Sequence, residues 1–227
     1  MHAVCMFAII LRTVCMFVNH RMMRKTNRER SEATRAVLIG SARELFAERG
    51  YAETSTPEIV AAANVTRGAL YHHFADKRAL FHAVVVEEAA AIAAAIHEQT
   101  SGCGSAIEAL KVGGRAFLEA MTQPGRARLL LIEAPAVLGA ETLAEIDGAQ
   151  GGRTLIEGLR SAIAEGAIAP LPVEPLAALL SAAFDRAAFA LSQGDDSREW
   201  VIALDALIDG LVARSRADLK AKPRPRR

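Results

Sequence analysis

A short segment between residues 66 and 73 carries side chains whose types suit recognition of a polyanion. If the segment is helical, Thr66, Arg67, Gly68, Tyr71 and His72 share its outward face. Ordinary solvated helix faces are rich in Lys and Glu. A hydroxyl, a guanidinium, a phenol and an imidazole instead pair well with phosphate oxygens and base edges. The segment is therefore predicted to contact duplex DNA.

Each residue of this surface has a predicted contact, and some have a structural alternative. Arg67 is predicted to bind guanine O6 and N7 as a bidentate donor, worth about 1–3 kcal/mol of base discrimination. Gly68 lets the helix backbone approach the groove. Tyr71 contacts a thymine methyl group or a phosphate, or else packs in the core. Thr56 and Thr66 offer hydroxyl groups to phosphates, or serve only as helix caps.

No metal site, cofactor or catalytic site is expected. His72 and His73 point about 100° apart on a helix, and no cysteine or carboxylate completes a zinc set with them, so one is expected to be packed and the other exposed. Cys5, Cys15 and Cys103 fit neither a disulfide framework nor a zinc pattern. The sequence also has no Gly-rich phosphate loop, nucleophile elbow or serine or cysteine beside a plausible base, which excludes the common enzyme classes.

The elements that position this surface can be read from helix-start and turn signals. Thr56 as N-cap, Pro57 at the first helical position and Glu58 in the first turn predict a short helix from Pro57 to Ala63. Asn64 follows, a residue that tolerates the positive φ of a sharp turn.

Two further helices complete the arrangement. Thr66 caps a second short helix that ends at His73, and Asp76 caps a third from Lys77 to about Gln99. Two short helices joined by a tight turn and braced by a third form a helix-turn-helix, placed at about residues 55–74. The predicted inward set is Ile59, Ala63, Val65, Leu70 and Phe74.

A longer amphipathic helix is predicted upstream, from about Glu32 to Arg49, with Gly50 as its stop. Before it, residues 24–30 form a polar, mainly basic arm. Such an arm either follows the minor groove or the phosphates, or is a frayed terminus.

This region resembles the DNA-binding signature of the TetR (tetracycline repressor-like) family. The resemblance covers roughly residues 31–91 and is carried by EIVAAANVTRGALYHHFADKRALF from Glu58 to Phe81 and by ARELFAERGY from residue 42 to residue 51. The sequence departs from the family pattern at Asn64, where the family usually has glycine, and at Val60, which is bulkier than the usual alanine. Asn remains compatible with a positive φ, so the turn is expected to form.

The resemblance implies a TetR-type DNA-binding domain over residues 24–91, in which His73 and Lys77 also hold the DNA backbone. It further implies an all-α protein with a helical ligand-binding and dimerisation domain over residues 92–216. It predicts a ligand-responsive repressor that acts as a cytoplasmic homodimer on a pseudo-palindromic operator, with a small-molecule effector.

Composition and charge agree with this division. The 227 residues are 52% hydrophobic and only 5% aromatic, which suits closely packed helices. The net charge is +4 from residue 21 to residue 82 and −10 from residue 83 to residue 213. A basic N-terminal module beside an acidic body is typical of a polyanion-binding domain joined to a domain with another role.

Periodicity predicts five helices after residue 104, separated by Gly and Pro: about 105–122, 126–138, 140–165, 174–192 and 197–216. The last two are predicted to pair with the same helices of a second subunit, or else to form an internal core. The predicted interface residues are Leu176, Leu179, Leu180, Ala183, Ala187, Trp200, Leu204, Leu207, Ile208 and Leu211.

A pocket for a small, mostly apolar effector is predicted among the helices of this body. Its predicted apolar lining is Phe117, Met121, Leu129, Ile132, Leu138 and Phe184, and its polarity comes from Arg115, Glu119, Glu133 or Asp185.

The two ends of the chain carry no such pattern. Residues 1–23 are an apolar leader that fits an extended start, with initiation at Met22 or Met23, better than a signal peptide or a membrane span containing Arg12. Residues 217–227 form a basic tail. No membrane is expected, but the leader leaves one alternative function, a ligand-independent or membrane-tethered helix-turn-helix DNA-binding protein.

Overall fold

The structure, a computed structural model, describes residues 26–150 and 152–220. Within these ranges the chain forms ten helices, one of them containing a π-helical segment, and no strand, which confirms the all-α prediction. The apolar leader, Cys5, Cys15 and residues 221–227 lie outside the described residues. The interpretations of the leader and of the basic tail therefore stay predictions.

Helix α1 is Asn27–Arg49 and begins well before the predicted Glu32. The Thr26 hydroxyl accepts a hydrogen bond from the Glu29 amide at 3.2 Å, while the Glu29 carboxylate accepts one from the Thr26 amide at 2.6 Å. This capping box satisfies amides that a helix start otherwise leaves free. The prediction of a basic arm is therefore wrong for residues 27–30, which belong to the helix.

Helices α2 (Thr56–Ala62) and α3 (Arg67–His73) form the helix-turn-helix. The prediction that Thr56 caps α2 is wrong, because the cap is Ser55, whose hydroxyl accepts from the Glu58 amide at 3.4 Å. Thr56 is instead the first helical residue, and its side chain is free to contact α3.

The turn and the remaining caps agree with the sequence. Asn64 has φ 51°, which confirms the expected left-handed turn between α2 and α3. The Thr66 hydroxyl accepts from the Ala69 amide at 3.1 Å. Asp76 Oδ1 accepts from the Ala79 amide at 2.7 Å and starts α4, which is Lys77–Thr100.

The core beneath these helices fixes which side of α3 faces outward. The Phe46 and Phe81 rings, both fully buried, meet edge to face at 5.1 Å. Ile59 of α2 and Leu70 of α3 are also fully buried in this cluster. Because Leu70 occupies one side of a seven-residue helix, the opposite side must face solvent.

The C-terminal body consists of six helices. They are α5 (Ala106–Met121), α6 (Arg126–Arg128, the π-helical Leu129–Glu133 and Ala134–Leu138), α7 (Ala140–Gln150), α8 (Gly152–Ala164), α9 (Val173–Ser192) and α10 (Ser197–Lys220). The segment predicted as one helix over 140–165 is helical on both sides of residue 151, at Ala140–Gln150 and at Gly152–Ala164.

The π-helical segment of α6 has an identifiable cause. Pro135 has no amide proton to donate and its ring crowds the carbonyl four residues earlier. The helix widens just before it, and the Ala134 amide donates to the Leu129 carbonyl, five residues back.

Two described helices, α4 and α9, are long and apolar enough to cross a bilayer by length and composition alone. Each has a packing role within the protein that explains its apolar character. Val84 of α4 is fully buried in the N-terminal core, and Ala187 of α9 in the C-terminal core.

Candidate nucleic-acid interface and effector cavity

The outward face of α3 is exposed to solvent. Thr66, Arg67, Gly68 and His72 are all exposed, and Tyr71 is 43% exposed. The alternative that Tyr71 packs in the core is therefore wrong. The polar face predicted from the sequence is available to a ligand as large as duplex DNA.

Three of these side chains form one polar cluster across α2 and α3. The Arg67 guanidinium lies 5.5 Å from the centre of the Tyr71 ring, a cation–π distance. Hydrogen bonds from Thr56 and Arg67 hold the pKa of Tyr71 below its ordinary value. Thr56 is thus placed beside Tyr71 by α2, and the cluster limits the orientations open to Arg67.

The two histidines differ in environment, as the sequence predicts. His72 is exposed, and His73 is half-buried. Burial, with the nearby charges of His72 and Arg35, lowers the pKa of His73. The lowered pKa favours the neutral imidazole at neutral pH, which has one donor nitrogen and one acceptor nitrogen.

Lys77 is held by the protein itself. Its Nζ donates to the Tyr51 carbonyl at 2.9 Å and to the Thr54 carbonyl at 3.0 Å, and lies 4.2 Å from the centre of the Tyr51 ring. An ammonium group has three donors. One donor therefore remains for a DNA phosphate, and the other two tie the loop between α1 and α2 to the start of α4.

A cavity of about 680 Å³ lies in the C-terminal body, between α4, α5, α6, α7, α8 and α9. Three of the predicted pocket residues, Phe117, Met121 and Phe184, line it, as does Asp185. Gly114 allows the Phe184 ring to lie directly against α5, since an added Cβ there would be 2.5 Å from the ring. The volume is in the range of sites that hold drug-sized ligands.

Six predicted pocket residues lie elsewhere, among them Glu119, which accepts a hydrogen bond from Gln99 of α4 at 3.2 Å. Leu129 and Leu138 are buried in the N-terminal core, and Ile132 is 47% exposed. Arg115 pairs with Asp205 on α10, and Glu133 binds the DNA-binding domain. On α6, Leu130 and Leu131 line the cavity instead. The cavity residue Asp147 was not predicted from the sequence, where its only signal was its place on a predicted helix.

A buried ionic cluster joins the DNA-binding domain to the body. Glu88 of α4 is 8% exposed and accepts hydrogen bonds from Arg43 of α1 at 3.1 Å and from Arg126 of α6. Burial acts to raise the pKa of Glu88, but the hydrogen bonds and charges of Arg126 and Arg43 outweigh it and hold the pKa below its ordinary value. This cluster was not predicted, because its members are far apart in sequence.

Helix α6 makes further polar contacts with the DNA-binding domain. The Glu133 carboxylate accepts from the Tyr51 amide at 2.8 Å, and Arg128 donates to the Phe46 carbonyl at 3.1 Å. Gly125, with φ 75°, lies against the Ala47 backbone, where an added Cβ would be 2.7 Å from the Ala47 oxygen. A displacement of α6 must therefore also shift the end of α1.

The predicted dimer residues fall into two groups. Four of them are buried in the chain's own core, so their assignment to a subunit interface is wrong: Leu180, Ala187, Leu204 and Ile208. Leu176, Ala183, Trp200 and Leu211 are half-buried. Leu179 is 71% exposed and Leu207 is 53% exposed, and Ile202, which was not predicted, is 69% exposed. These three are large apolar side chains of α9 and α10 that are more than half exposed in the single chain.

An exposed polar recognition helix within a capped helix-turn-helix, joined to a helical body, defines the class of helix-turn-helix DNA-binding regulators. Comparison with known proteins agrees with this class. The model of bacterial regulatory proteins of the tetR family matches residues 38–84, and the model of the tetracyclin repressor-like C-terminal domain matches residues 107–211.

A solved TetR-family transcriptional regulator from Pectobacterium atrosepticum is 31% identical, with a TM-score of 0.64, and the match covers 88% of this chain and 100% of that one. The chain belongs to the TetR family of bacterial transcriptional regulators, whose members are not enzymes. The fatty acid degradation regulator FadR from Bacillus halodurans is 17% identical, with a TM-score of 0.69 over 82% of this chain and 96% of that one, and shares the fold.

Curated relatives match mainly over the DNA-binding domain. The transcriptional regulator AcrR from Shigella flexneri is 50% identical over 60 residues, which are 26% of this chain and 27% of AcrR. The transcriptional repressor BepR from Brucella suis is 41% identical over 63 residues, 28% of this chain and 30% of BepR. The chain thus spans less than a third of the length of these two relatives.

Proposed function

We propose that the protein is a ligand-responsive transcriptional repressor that acts in the cytoplasm as a homodimer on a pseudo-palindromic DNA operator. The observation that carries the proposal is the exposed polar face of α3, held outward by the burial of Leu70. In this assignment Arg67 reads a base, Gly68 lets the helix backbone approach the groove, and Tyr71 contacts a thymine methyl group or a phosphate. The other residues of the DNA-binding surface, which contact mainly the DNA backbone, are Thr56, Thr66, His72, His73 and Lys77.

A dimer is needed because one seven-residue recognition helix reads only a few base pairs. Two such helices related by a two-fold axis enter successive major grooves when they lie about 34–36 Å apart, or a multiple of this. The exposure of Leu179 on α9 and of Ile202 and Leu207 on α10 supports a two-fold contact through these helices, since exposed large apolar side chains commonly mark an interface.

The cavity supports a response to an effector. A ligand that fills it contacts Leu130 and Leu131 of α6. Helix α6 in turn bonds α1 through Arg128, the loop after α1 through Glu133, and Glu88 of α4 through Arg126. If the ligand prefers a spacing of the recognition helices that does not fit successive grooves, it shifts the dimer population away from the operator.

The proposal predicts different effects for two basic residues. Arg67→Ala is expected to weaken binding to an operator selected from random duplexes by about 10- to 100-fold, with little change for random DNA, because a bidentate base contact is lost. Lys77→Ala is expected to weaken both DNAs alike and to reduce the salt slope by about 1. Fluorescence anisotropy at several salt concentrations measures both.

The matched control is Arg198→Ala, which removes an exposed arginine from the start of α10, far along the chain from the recognition helix. Its DNA binding should equal that of the unmodified protein. Lys77→Ala also removes two hydrogen bonds to backbone carbonyls, so its melting temperature should fall while that of Arg67→Ala does not. Equal losses on operator and random DNA for Arg67→Ala would refute its assignment to base reading.

A further inference from the structure

The charges on the wall of the effector cavity are all of one sign. The lining includes the carboxylates of Asp147, Glu174 and Asp185, and no Lys, Arg or His among the described side chains. The charge of Glu174 is neutralised by Arg160, which does not line the cavity and donates a hydrogen bond to the Glu174 carboxylate at 2.9 Å. Two carboxylates of the cavity therefore keep an excess negative charge.

Asp147 and Asp185 have no cationic partner among the described side chains. They come from two different helices of the cavity wall, α7 and α9. Burial raises the pKa of both, and the charge of Asp147 helps to raise the pKa of Asp185 to about 6. A pKa of about 6 leaves Asp185 mostly ionised at neutral pH, and no described side chain of the cavity wall supplies an opposite charge, which a ligand can provide.

The rest of the wall is apolar and partly aromatic. The Phe117 and Phe184 rings meet edge to face at 6.1 Å, and Ile92, Ile96 and Leu110 complete the nearby surface. Aromatic faces attract organic cations, and aliphatic side chains favour an apolar ligand body. An inorganic cation would find two carboxylates but few other oxygen ligands, so an organic cation fits the wall better.

We propose that the cavity binds a lipophilic organic cation, whose positive charge is neutralised by Asp147 and Asp185 and whose apolar body packs on Phe117 and Phe184. This inference rests on the proposed effector-responsive function and names the chemical class of the effector. It also refines the sequence-based expectation of a mostly apolar ligand, since an apolar body alone leaves the two carboxylates without counter-charges.

A pair of ions with nearly the same size and shape but opposite charge tests the proposal. Tetraphenylphosphonium and tetraphenylborate are titrated separately into the full-length protein without DNA, by calorimetry. The cation is expected to bind at least about tenfold more tightly than the anion. Asp185→Asn and Asp147→Asn should each reduce this preference several-fold, and the double variant should abolish it.

The control is Asp209→Asn, which changes the net charge equally but removes an exposed carboxylate that pairs with Lys111 outside the cavity. It should leave the affinity for the cation unchanged, and thermal melting should show every variant folded. Equal affinities for the two ions, or an equal loss in Asp209→Asn and Asp185→Asn, would overturn the inference.

The same samples, with a labelled operator duplex, separate this inference from the proposed function. Release of the duplex by tetraphenylphosphonium, and its absence in the Asp147 and Asp185 double variant, supports both. Charge-selective binding without release of the duplex supports the cation site and contradicts the ligand-responsive function. Release by neutral apolar compounds, with no preference between the two ions, supports the function and contradicts the cation site.

Discussion

Glu88→Ala is expected to lower the free energy of unfolding by about 3–5 kcal/mol, the cost of leaving buried charges without their partner. Glu88 is 8% exposed and is the shared acceptor of Arg43 and Arg126. Without its carboxylate, two guanidinium groups from different helices face each other in a partly buried site. The loss should also weaken the connection between α1 and α6, because Glu88 links Arg43 of α1 to Arg126 of α6.

Urea unfolding followed by circular dichroism measures the change, and the neighbouring residue provides the control. Glu87 also pairs with an arginine, Arg35 at 3.7 Å, but both side chains are about half exposed. Exposed pairs contribute about 0–1 kcal/mol, so Glu87→Ala should be nearly neutral. Similar losses for the two variants would contradict a special role of the buried cluster.

The pH dependence of the Glu88 contribution has a definite sign. Because the folded-state pKa of Glu88 is lowered, its stabilisation is fully present above the ordinary glutamate value of 4.5 and is lost as the pH falls through the lowered pKa. Glu88→Gln should therefore differ most from the unmodified protein near neutral pH, and the two should converge in acid. A difference that is constant from pH 7 to pH 3 would contradict the assigned ion pairs.

Leu179→Asp combined with Leu207→Asp is expected to convert the proposed dimer to a monomer, with a rise of at least about 100-fold in the dimer dissociation constant. The reason is that an aspartate buried at an apolar interface without a partner is very costly to desolvate. Both leucines are more than half exposed in the single chain, at 71% and 53%, so the variant should fold normally. Sedimentation equilibrium measures the mass.

Operator binding should fall with dimerisation, because both half-sites must be engaged together for tight binding. Ile132→Asp is the matched control, since Ile132 is an apolar residue of the same body with 47% exposure on α6. It should remain a dimer. A double variant that stays dimeric at low concentration would show that the subunits meet through another surface.

The DNA-binding helices were largely predictable because their signals are local. The cap at Thr66, the left-handed turn at Asn64 and the cap at Asp76 each depend on a few neighbouring residues, and all three were confirmed. The inward positions of Ile59 and Leu70 followed from helical spacing. Even here, Ser55 and Thr56 both carry the hydroxyl group that an N-cap of α2 requires, and only the backbone geometry decided between them.

The sequence by itself determined the kind of helices, their order and the polar face of α3, because hydrogen bonds within a turn and amphipathic spacing involve residues close in the chain. Only the tertiary structure decided which apolar stripe of α9 and α10 stays uncovered, which turn of α6 faces the cavity, and that Glu88 meets both Arg43 and Arg126. These outcomes depend on how whole helices rotate and pack against one another. A hydrophobic pattern shows that a face is buried, but it does not name the surface that buries it.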